Sequence, residues 1–252
     1  MLHLLAAICG SSLGLLAAGI ATQIGLRLAD RMPGEGLWPE CLYCQRRTRF
    51  YEILPLFGWL LRPNALGLPC PCGLQKRQWA VPAAELCGLI AGGVAGFISG
   101  FDITTLWLCL ACGLLPAIAV VDLLFGIIPD SFNFMLALLG LAWLLTGGGE
   151  LTVGMMLGGT LLLLGLFLAH GYSAFRRKEM LGLGDVKFFA AAGLWLQPAV
   201  LPWFLVAAGF MGAVSGLIWK RVIGGDQSPF APALCLSLLG CILYQVWDMM
   251  RY

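Results

Sequence analysis

The chain has 252 residues, of which 60% are hydrophobic and only 11% charged, and its mean hydropathy is +0.89. Soluble domains usually carry about 25% charged residues, so this composition excludes an ordinary soluble enzyme, a disordered protein and a secreted disulfide-rich domain. The net charge of +2 is too small to suggest a nucleic-acid partner. We therefore expect an all-α, polytopic membrane protein.

Seven uncharged stretches divide the chain, and each is a candidate membrane segment because a bilayer core of about 30 Å needs roughly 20 apolar residues per helix. The stretches are 4–26, 86–101, 103–121, 131–149, 151–175, 188–219 and 227–247. The second becomes long enough if its helix begins near Val81 and places Glu85 at the membrane interface. Except for the sixth, each stretch predicts one transmembrane helix.

The sixth stretch is too long for one helix, and Pro198 and Pro202 favour a break within it. We predict a short helix over 187–197 and a full one over 200–219, which gives about eight transmembrane helices. Fourteen of the fifteen Lys and Arg residues then fall in loops on one side of the membrane, and only Arg251 falls on the other. The loops on the basic side are 27–80, 122–130, 171–187 and 220–230. The positive-inside rule places them in the cytoplasm, with both termini on the opposite side.

Four cysteines occur in the long cytoplasmic loop, arranged as C-x₂-C and C-x-C: Cys41, Cys44, Cys70 and Cys72. The cytoplasm keeps thiols reduced, so a disulfide is the weaker interpretation. Four thiolates on one zinc ion would hold together a loop too small to form its own core. Redox-active thiols and unrelated free cysteines remain alternatives. The other six cysteines lie in apolar stretches, where cysteine packs as a small hydrophobic residue, and we assign them no role.

Two aspartates stand at the ends of predicted membrane helices, where acidic residues are costly and usually functional. Asp122 ends the third helix, and Asp185, within the sequence GLGDVK at 182–187, opens the sixth. The predicted topology places both at the cytoplasmic face. Two adjacent carboxylates can share one proton, so that the ionised one activates a water and the protonated one assists the leaving group. We therefore predict a catalytic aspartate dyad.

Simpler interpretations of the acidic residues are possible. Asp122 could be a solvated helix end, and Asp185 could cap its helix in a glycine turn. Asp130 follows Pro129 and precedes the fourth helix, so we expect it to be an N-cap. Glu85 lies one turn into the second helix, where an anion is favoured by the helix dipole without any further role.

Taken together, these motifs resemble the bacterial type IV prepilin peptidases, which are membrane aspartyl proteases of the G-x-G-D type. The matching pieces occur in family order over nearly the whole chain: the cysteine loop, PAAEL at 82–86, Asp122 with IPD at 128–130, GLGDVK at 182–187 and PFAP at 229–232. The resemblance implies cleavage of prepilins or pseudopilins after a glycine, which removes a short basic leader just before a hydrophobic helix. The reaction would take place at the cytoplasmic face of a bacterial inner membrane.

The resemblance also implies roles for individual residues. Asp122 and Asp185 would be the catalytic pair, and the four loop cysteines would hold zinc. A supporting active-site loop would comprise Gly182, Gly184, Lys187 and Asp130. Many relatives methylate the new N-terminal amine with S-adenosylmethionine, and the resemblance implies the same activity here.

The chain would then divide into a first transmembrane helix (1–29), a zinc-binding cytoplasmic loop (30–80) and a membrane aspartyl protease domain (81–252). The expected partners are prepilin or pseudopilin substrates and the lipid bilayer, with no nucleic acid.

Two alternatives compete with this interpretation. A presenilin-like intramembrane protease shares the PAL sequence found at 232–234, but that group has tyrosine where Val121 stands here and has no counterpart of the cysteine loop. A small transporter or assembly scaffold could use the aspartates for proton coupling, but such transporters usually show two related halves, and we find no such repeat. The sequence leaves open which pilus or secretion system is served and what the oligomeric state is.

Overall fold

The fold is known from a computed structural model, which describes residues 2–29, 79–172, 182–222 and 228–251. Within these ranges the regular structure is entirely helical, which confirms the predicted all-α class. The helices are α1 (Leu2–Ala29), α2 (Ala80–Ser99), α3 (Ile103–Phe125), α4 (Asp130–Trp143), α5 (Leu151–Leu166), α6 (Leu183–Gly193), α7 (Leu201–Val222) and α8 (Ala231–Met249). Wider π-helical turns follow α4 over Leu144–Gly148, where Gly147 with φ 99° breaks the helical path, and α5 over Phe167–Tyr172. The four loop cysteines lie outside the described residues.

Seven of these helices are long and apolar enough to cross a membrane, and α6 is the exception. Its 11 residues span about 16 Å, roughly half of a bilayer core. The helix starts and ends four residues earlier than predicted. It ends before Trp195 because the Gln245 side chain donates a hydrogen bond to the Trp195 carbonyl and the Trp195 indole donates to the Leu136 carbonyl at 3.1 Å. The predicted pair of a short and a full helix is nevertheless present.

Helices α6 and α7 together run from one end of the bundle to the other and back. At the far end, the Gln197 backbone N–H donates to the Gln245 side chain of α8 at 3.2 Å. At the near end, α8 begins beside Asp122, and Phe230 just before it packs against Gly212 of α7. The start of α6, the end of α7 and the start of α8 therefore share one end of the molecule, as the predicted topology requires.

Helices α1 and α2 pack closely along a line of small residues. Gly88, Gly92 and Gly96 recur every fourth residue on α2, and a Cβ atom at any of them would overlap a backbone carbonyl of α1, at Gly14, Gly10 and Ala6 respectively. Small residues at this spacing let two membrane helices bring their backbones together. The first apolar stretch is thus an integral part of the described fold.

Helix α3 is the centre of the bundle and contacts α1, α2, α4 and α8. It is the most completely buried of the seven spanning helices, whereas α7 buries only Phe204 and Ala208. Glu85 on α2 is only 2% exposed, so it is enclosed by protein, and its position at the membrane interface stays a prediction. The close packing of α2 against α1 and α3 encloses it.

Candidate active site

Asp122 lies in the last turn of α3, near the end of the bundle where α8 begins. It is 5% exposed, so it is not a solvated helix end. The backbone N–H of Ala231, the first residue of α8, donates to its Oδ2 at 2.9 Å, and the N–H of Phe230 also faces the carboxylate. The N-terminal end of α8 therefore points at Asp122, where its dipole favours a negative charge.

Asp185 is the third residue of α6, and Gly182 is the N-cap, so the interpretation of Asp185 as the N-cap is wrong. Its partly buried carboxylate folds back towards the Gly182 backbone N–H. A Cβ atom at position 182 would lie 3.3 Å from Asp185 Oδ2, which is a tight contact. Gly182 thus leaves room for the carboxylate at the start of α6.

Asp122 and Asp185 lie close enough for their charges to interact, although they are far apart in sequence. The two aspartates that the topology paired therefore lie within electrostatic range of each other. Each carboxylate sits at the N-terminal end of a helix, α8 for Asp122 and α6 for Asp185. Two positive helix ends therefore converge on the pair, which suits a site that holds one proton and one negative charge.

Gly184 connects the start of α6 to the segment before α4. Its carbonyl oxygen accepts a hydrogen bond of 3.0 Å from Asn133 Nδ2, and a Cβ atom at this position would lie 3.3 Å from Ile128 Cβ. The glycine therefore allows close approach of the backbone that carries Asp185. Asn133 was not predicted, although a polar residue among apolar ones one turn into α4 was a usable signal.

Asp130 and Lys187 form an ion pair of 2.7 Å that links the start of α4 to α6. The prediction that Asp130 is an N-cap is wrong, because Pro129 occupies that position and Asp130 is the first helical residue. The ammonium group of Lys187 draws the carboxylate across to α6 instead. Both side chains are exposed, so the pair adds little stability and mainly fixes the relative position of the two helices.

Cys235 is a further neighbour of the site, and no sequence pattern indicated it. Its buried thiol on α8 lies within electrostatic range of both Asp122 and Asp185. The sequence interpretation gave no role to any cysteine in an apolar stretch. Only the packing of α8 against α3 places this one beside the carboxylates.

No group of His, Cys, Asp and Glu side chains suited to a metal ion occurs within the described ranges. Cys41, Cys44, Cys70 and Cys72 lie outside those ranges, so the zinc prediction remains a prediction. At the described site, the residues that the structure places next to each other supply two carboxylates and the backbone N–H groups around them.

The fold and the site together define a multi-pass helical membrane protein with a carboxylate pair near one end of its bundle, the arrangement expected of a membrane aspartyl protease. Residues 107–217, which include both aspartates, match the type IV leader peptidase family. A prepilin leader peptidase/N-methyltransferase of Dickeya chrysanthemi is 31% identical over 82% of this chain and 74% of its own. A type 4 prepilin-like proteins leader peptide-processing enzyme of Escherichia coli is 30% identical over 82% and 75%.

The chain belongs to the type IV leader peptidase family. A Legionella pneumophila prepilin leader peptidase/N-methyltransferase is also similar, at 29% identity over 78% of this chain and 69% of its own. No solved structure matches the chain. Membership of this family favours a leader peptidase over a presenilin-like protease, a transporter or a scaffold.

Proposed function

We propose that the protein is an aspartyl endopeptidase that removes the leader peptide from type IV prepilins or pseudopilins. The observation that supports the proposal is that Asp122 and Asp185, beside the N-terminal ends of α8 and α6, lie within electrostatic range of each other. The names of the similar proteins support prepilins as the substrate class. The distribution of basic residues supports a reaction at the cytoplasmic face of a bacterial inner membrane, with both termini on the periplasmic side.

In the proposed mechanism the pair carries one proton. The ionised carboxylate takes a proton from a water molecule as its oxygen attacks the scissile carbonyl carbon. The protonated carboxyl gives its proton to the carbonyl oxygen in the same step, which yields a tetrahedral gem-diol and leaves one negative charge on the pair. As the carbon–nitrogen bond breaks, the carboxyl that took up the water proton gives it to the leaving amine, and the other carboxylate takes a proton back from a gem-diol hydroxyl. The N–H of Ala231 and the first turn of α6 stabilise the negative charge that one member of the pair carries throughout.

The remaining residues of the predicted active-site loop position the pair. Gly182 leaves space for the Asp185 carboxylate, and Gly184 lets the start of α6 approach Ile128. The ion pair between Lys187 and Asp130 holds α6 against α4.

We further propose that the four loop cysteines bind a structural zinc ion, and that the new N-terminal amine is methylated with S-adenosylmethionine. The names of the similar proteins support the second activity. The cysteine spacing and the cytoplasmic position of the loop support the first.

The decisive test replaces each aspartate by asparagine and follows cleavage of a prepilin in membranes, reading the mature N-terminus by mass spectrometry. We expect Asp122→Asn and Asp185→Asn each to reduce cleavage at least a hundredfold, because the two carboxylates act as one unit. Asp102→Asn is the matched control. Asp102 is the exposed N-cap of α3 at the other end of that helix, and asparagine caps helices equally well.

Equal amounts of all variants in the membrane would show that the loss is catalytic. Residual cleavage of a tenth or more in either variant would contradict the dyad. The same spectrum reports whether the product carries an added methyl group.

A further inference from the structure

The first turn of α6 carries Asp185 but has few means of holding its own shape. Glycine, which has more backbone freedom than any other residue, occupies two positions at its start, Gly182 and Gly184. The N-cap is Gly182, which has no side chain to cap the backbone N–H groups of that turn. The position of Asp185 therefore depends on contacts from outside α6.

One such contact is buried, and it comes from Asn133 of α4. The Asn133 Nδ2 donates to the Gly184 carbonyl at 3.0 Å, and Asn133 is 4% exposed. Gly184 directly precedes Asp185, so this carbonyl belongs to the peptide group that joins the two residues. Because a peptide group is planar, a bond that fixes its carbonyl also fixes the direction in which the Asp185 N–H and Cα lie.

The ion pair between Asp130 and Lys187 also joins α4 to α6, but it is a different kind of contact. Its side chains are 73% and 49% exposed respectively, and exposed pairs of this kind are weak. Lys187 reaches Asp130 through a long, flexible side chain. The pair can hold the two helices side by side, whereas the short, buried amide of Asn133 fixes one particular peptide group.

Stability alone does not explain an amide at position 133. The Asn133 Oδ1 is buried and has no hydrogen-bond partner among the described residues, which costs free energy. The Gly184 carbonyl is already paired by the regular helical hydrogen bond from Phe188, so it does not need a second donor. Leucine has nearly the same shape as asparagine and would avoid this cost. The amide is therefore better explained by what it does to the neighbouring Asp185.

We infer that Asn133 is a positioning residue of the active site: its amide holds the peptide group between Gly184 and Asp185, and so keeps the Asp185 carboxylate within range of Asp122. The inference rests on the proposed function and adds a residue that acts on the reaction only through Asp185. Loss of its hydrogen bond should therefore slow the chemical step and leave substrate binding unchanged.

Asn133→Leu removes the donor and preserves the shape of the side chain. With a full-length prepilin in proteoliposomes, we expect kcat to fall at least tenfold and KM to change less than twofold, since a misplacement of about 1 Å can cost about a hundredfold in rate. Gln245→Met is the matched control, because buried Gln245 donates to the Trp195 carbonyl, beyond the opposite end of α6. It loses an equivalent hydrogen bond far from the first turn, so its kcat should change less than twofold.

Two outcomes of this comparison would overturn the inference. Equal losses of kcat in Asn133→Leu and Gln245→Met would mean that a general loosening of α6 explains both. An unchanged kcat in Asn133→Leu would mean that the hydrogen bond does not position Asp185. Equal amounts of both variants in the membrane, with similar thermal unfolding midpoints, would show that the difference in kcat does not arise from misfolding.

A second variant tests the donor within a single folded protein. In Asn133→Asp, the protonated carboxyl can donate to the Gly184 carbonyl, whereas the ionised carboxylate can only accept and repels it. Burial disfavours the charged form of a carboxyl, so the donor is present at the acidic end of the pH range in which the unmodified protein works.

The readout is the kcat of each variant divided by that of the unmodified protein at the same pH. This ratio should fall at least fivefold for Asn133→Asp as the pH rises and stay constant for Asn133→Leu. The same charged groups surround position 133 in all three proteins, so their own titration cancels in the ratio: Asp122 of α3, Asp130 of α4, and Asp185 and Lys187 of α6. A constant ratio for Asn133→Asp would overturn the inference. Failure of the unmodified protein to cleave any prepilin would instead refute the proposed function, and the inference with it.

Discussion

The Asp122 carboxylate takes its hydrogen bond from the backbone N–H of Ala231, and the Asp185 carboxylate faces that of Gly182. Backbone donors are positioned by the ends of helices, not by side-chain rotamers. The geometry of the pair therefore depends on where α6 and α8 begin. Substitutions that shift those helix ends should impair catalysis even when they leave both aspartates in place.

Gly184→Val tests this dependence at a single residue. A Cβ at this position already lies 3.3 Å from Ile128 Cβ, so two further methyl groups must displace Ile128 or the start of α6, and Asp185 with it. We expect kcat for prepilin cleavage to fall at least tenfold. Gly240→Val is the control, because a Cβ at Gly240 on α8 meets nothing within 4 Å. Equal kcat values in the two variants would contradict this prediction, because the start of α6 would then accommodate the valine without moving Asp185.

The α1–α2 contact shows that the sequence predicts the existence of two helices but not which of them pack together. The uncharged stretches predicted both helices, because the length of an apolar run is a local property of the chain. Their pairing through Gly88, Gly92 and Gly96 was not predicted, although the four-residue spacing is visible in the sequence. Which glycines contact another backbone depends on the partner helix, and that partner is not marked locally.

Gly92→Ala should destabilise this contact, since the added methyl group would overlap the Gly10 carbonyl. We expect a cost of about 1–3 kcal/mol from overpacking, read from thermal unfolding in detergent. Gly240→Ala should have no such cost and should gain up to about 1 kcal/mol from helix propensity. A stabilising effect of alanine at both positions would mean that α1 and α2 do not pack as described.

The site itself was predicted only in part. Asp122 and Asp185 could be paired from sequence because charge and topology placed them on one side of the membrane. Asn133 stood out in the sequence only as a polar residue among apolar ones, and Cys235 did not stand out at all, because packing between helices distant in the chain places both beside the site. The bounds of α6 were also misplaced, since the contacts of Trp195 with Gln245 and Leu136 set its end.

The end of α1 and the start of α2, which flank the cysteine-containing segment, lie at the active-site end of the bundle. Near the end of α1, Gly25 packs against Val121, and at the start of α2, Ala80 and Ala84 pack with Val120. These contacts lie within one turn of Asp122. A zinc-binding loop between α1 and α2 would therefore be joined to the fold on the side where the substrate is cut.

We expect the purified protein to contain one zinc ion per chain and Cys44→Ser to lose it, because three thiolates bind the metal more weakly than four. Metal analysis of both proteins gives the measurement, and Cys87→Ser is the control, since Cys87 is an exposed free thiol on α2. Equal zinc content in Cys44→Ser and the unmodified protein would contradict the predicted site. Leader cleavage by the metal-free protein would show that zinc is not needed for hydrolysis.

The hydrogen bond from Ala231 to Asp122 joins residues 109 positions apart, and this separation bears on how the enzyme matures during synthesis. Both aspartates precede α8 in the chain, so they are synthesised before it. Until α8 inserts, Asp122 lacks this donor and the dipole that comes with it. We therefore expect a chain truncated before α8 to be inactive, because its Asp122 would lack the Ala231 donor.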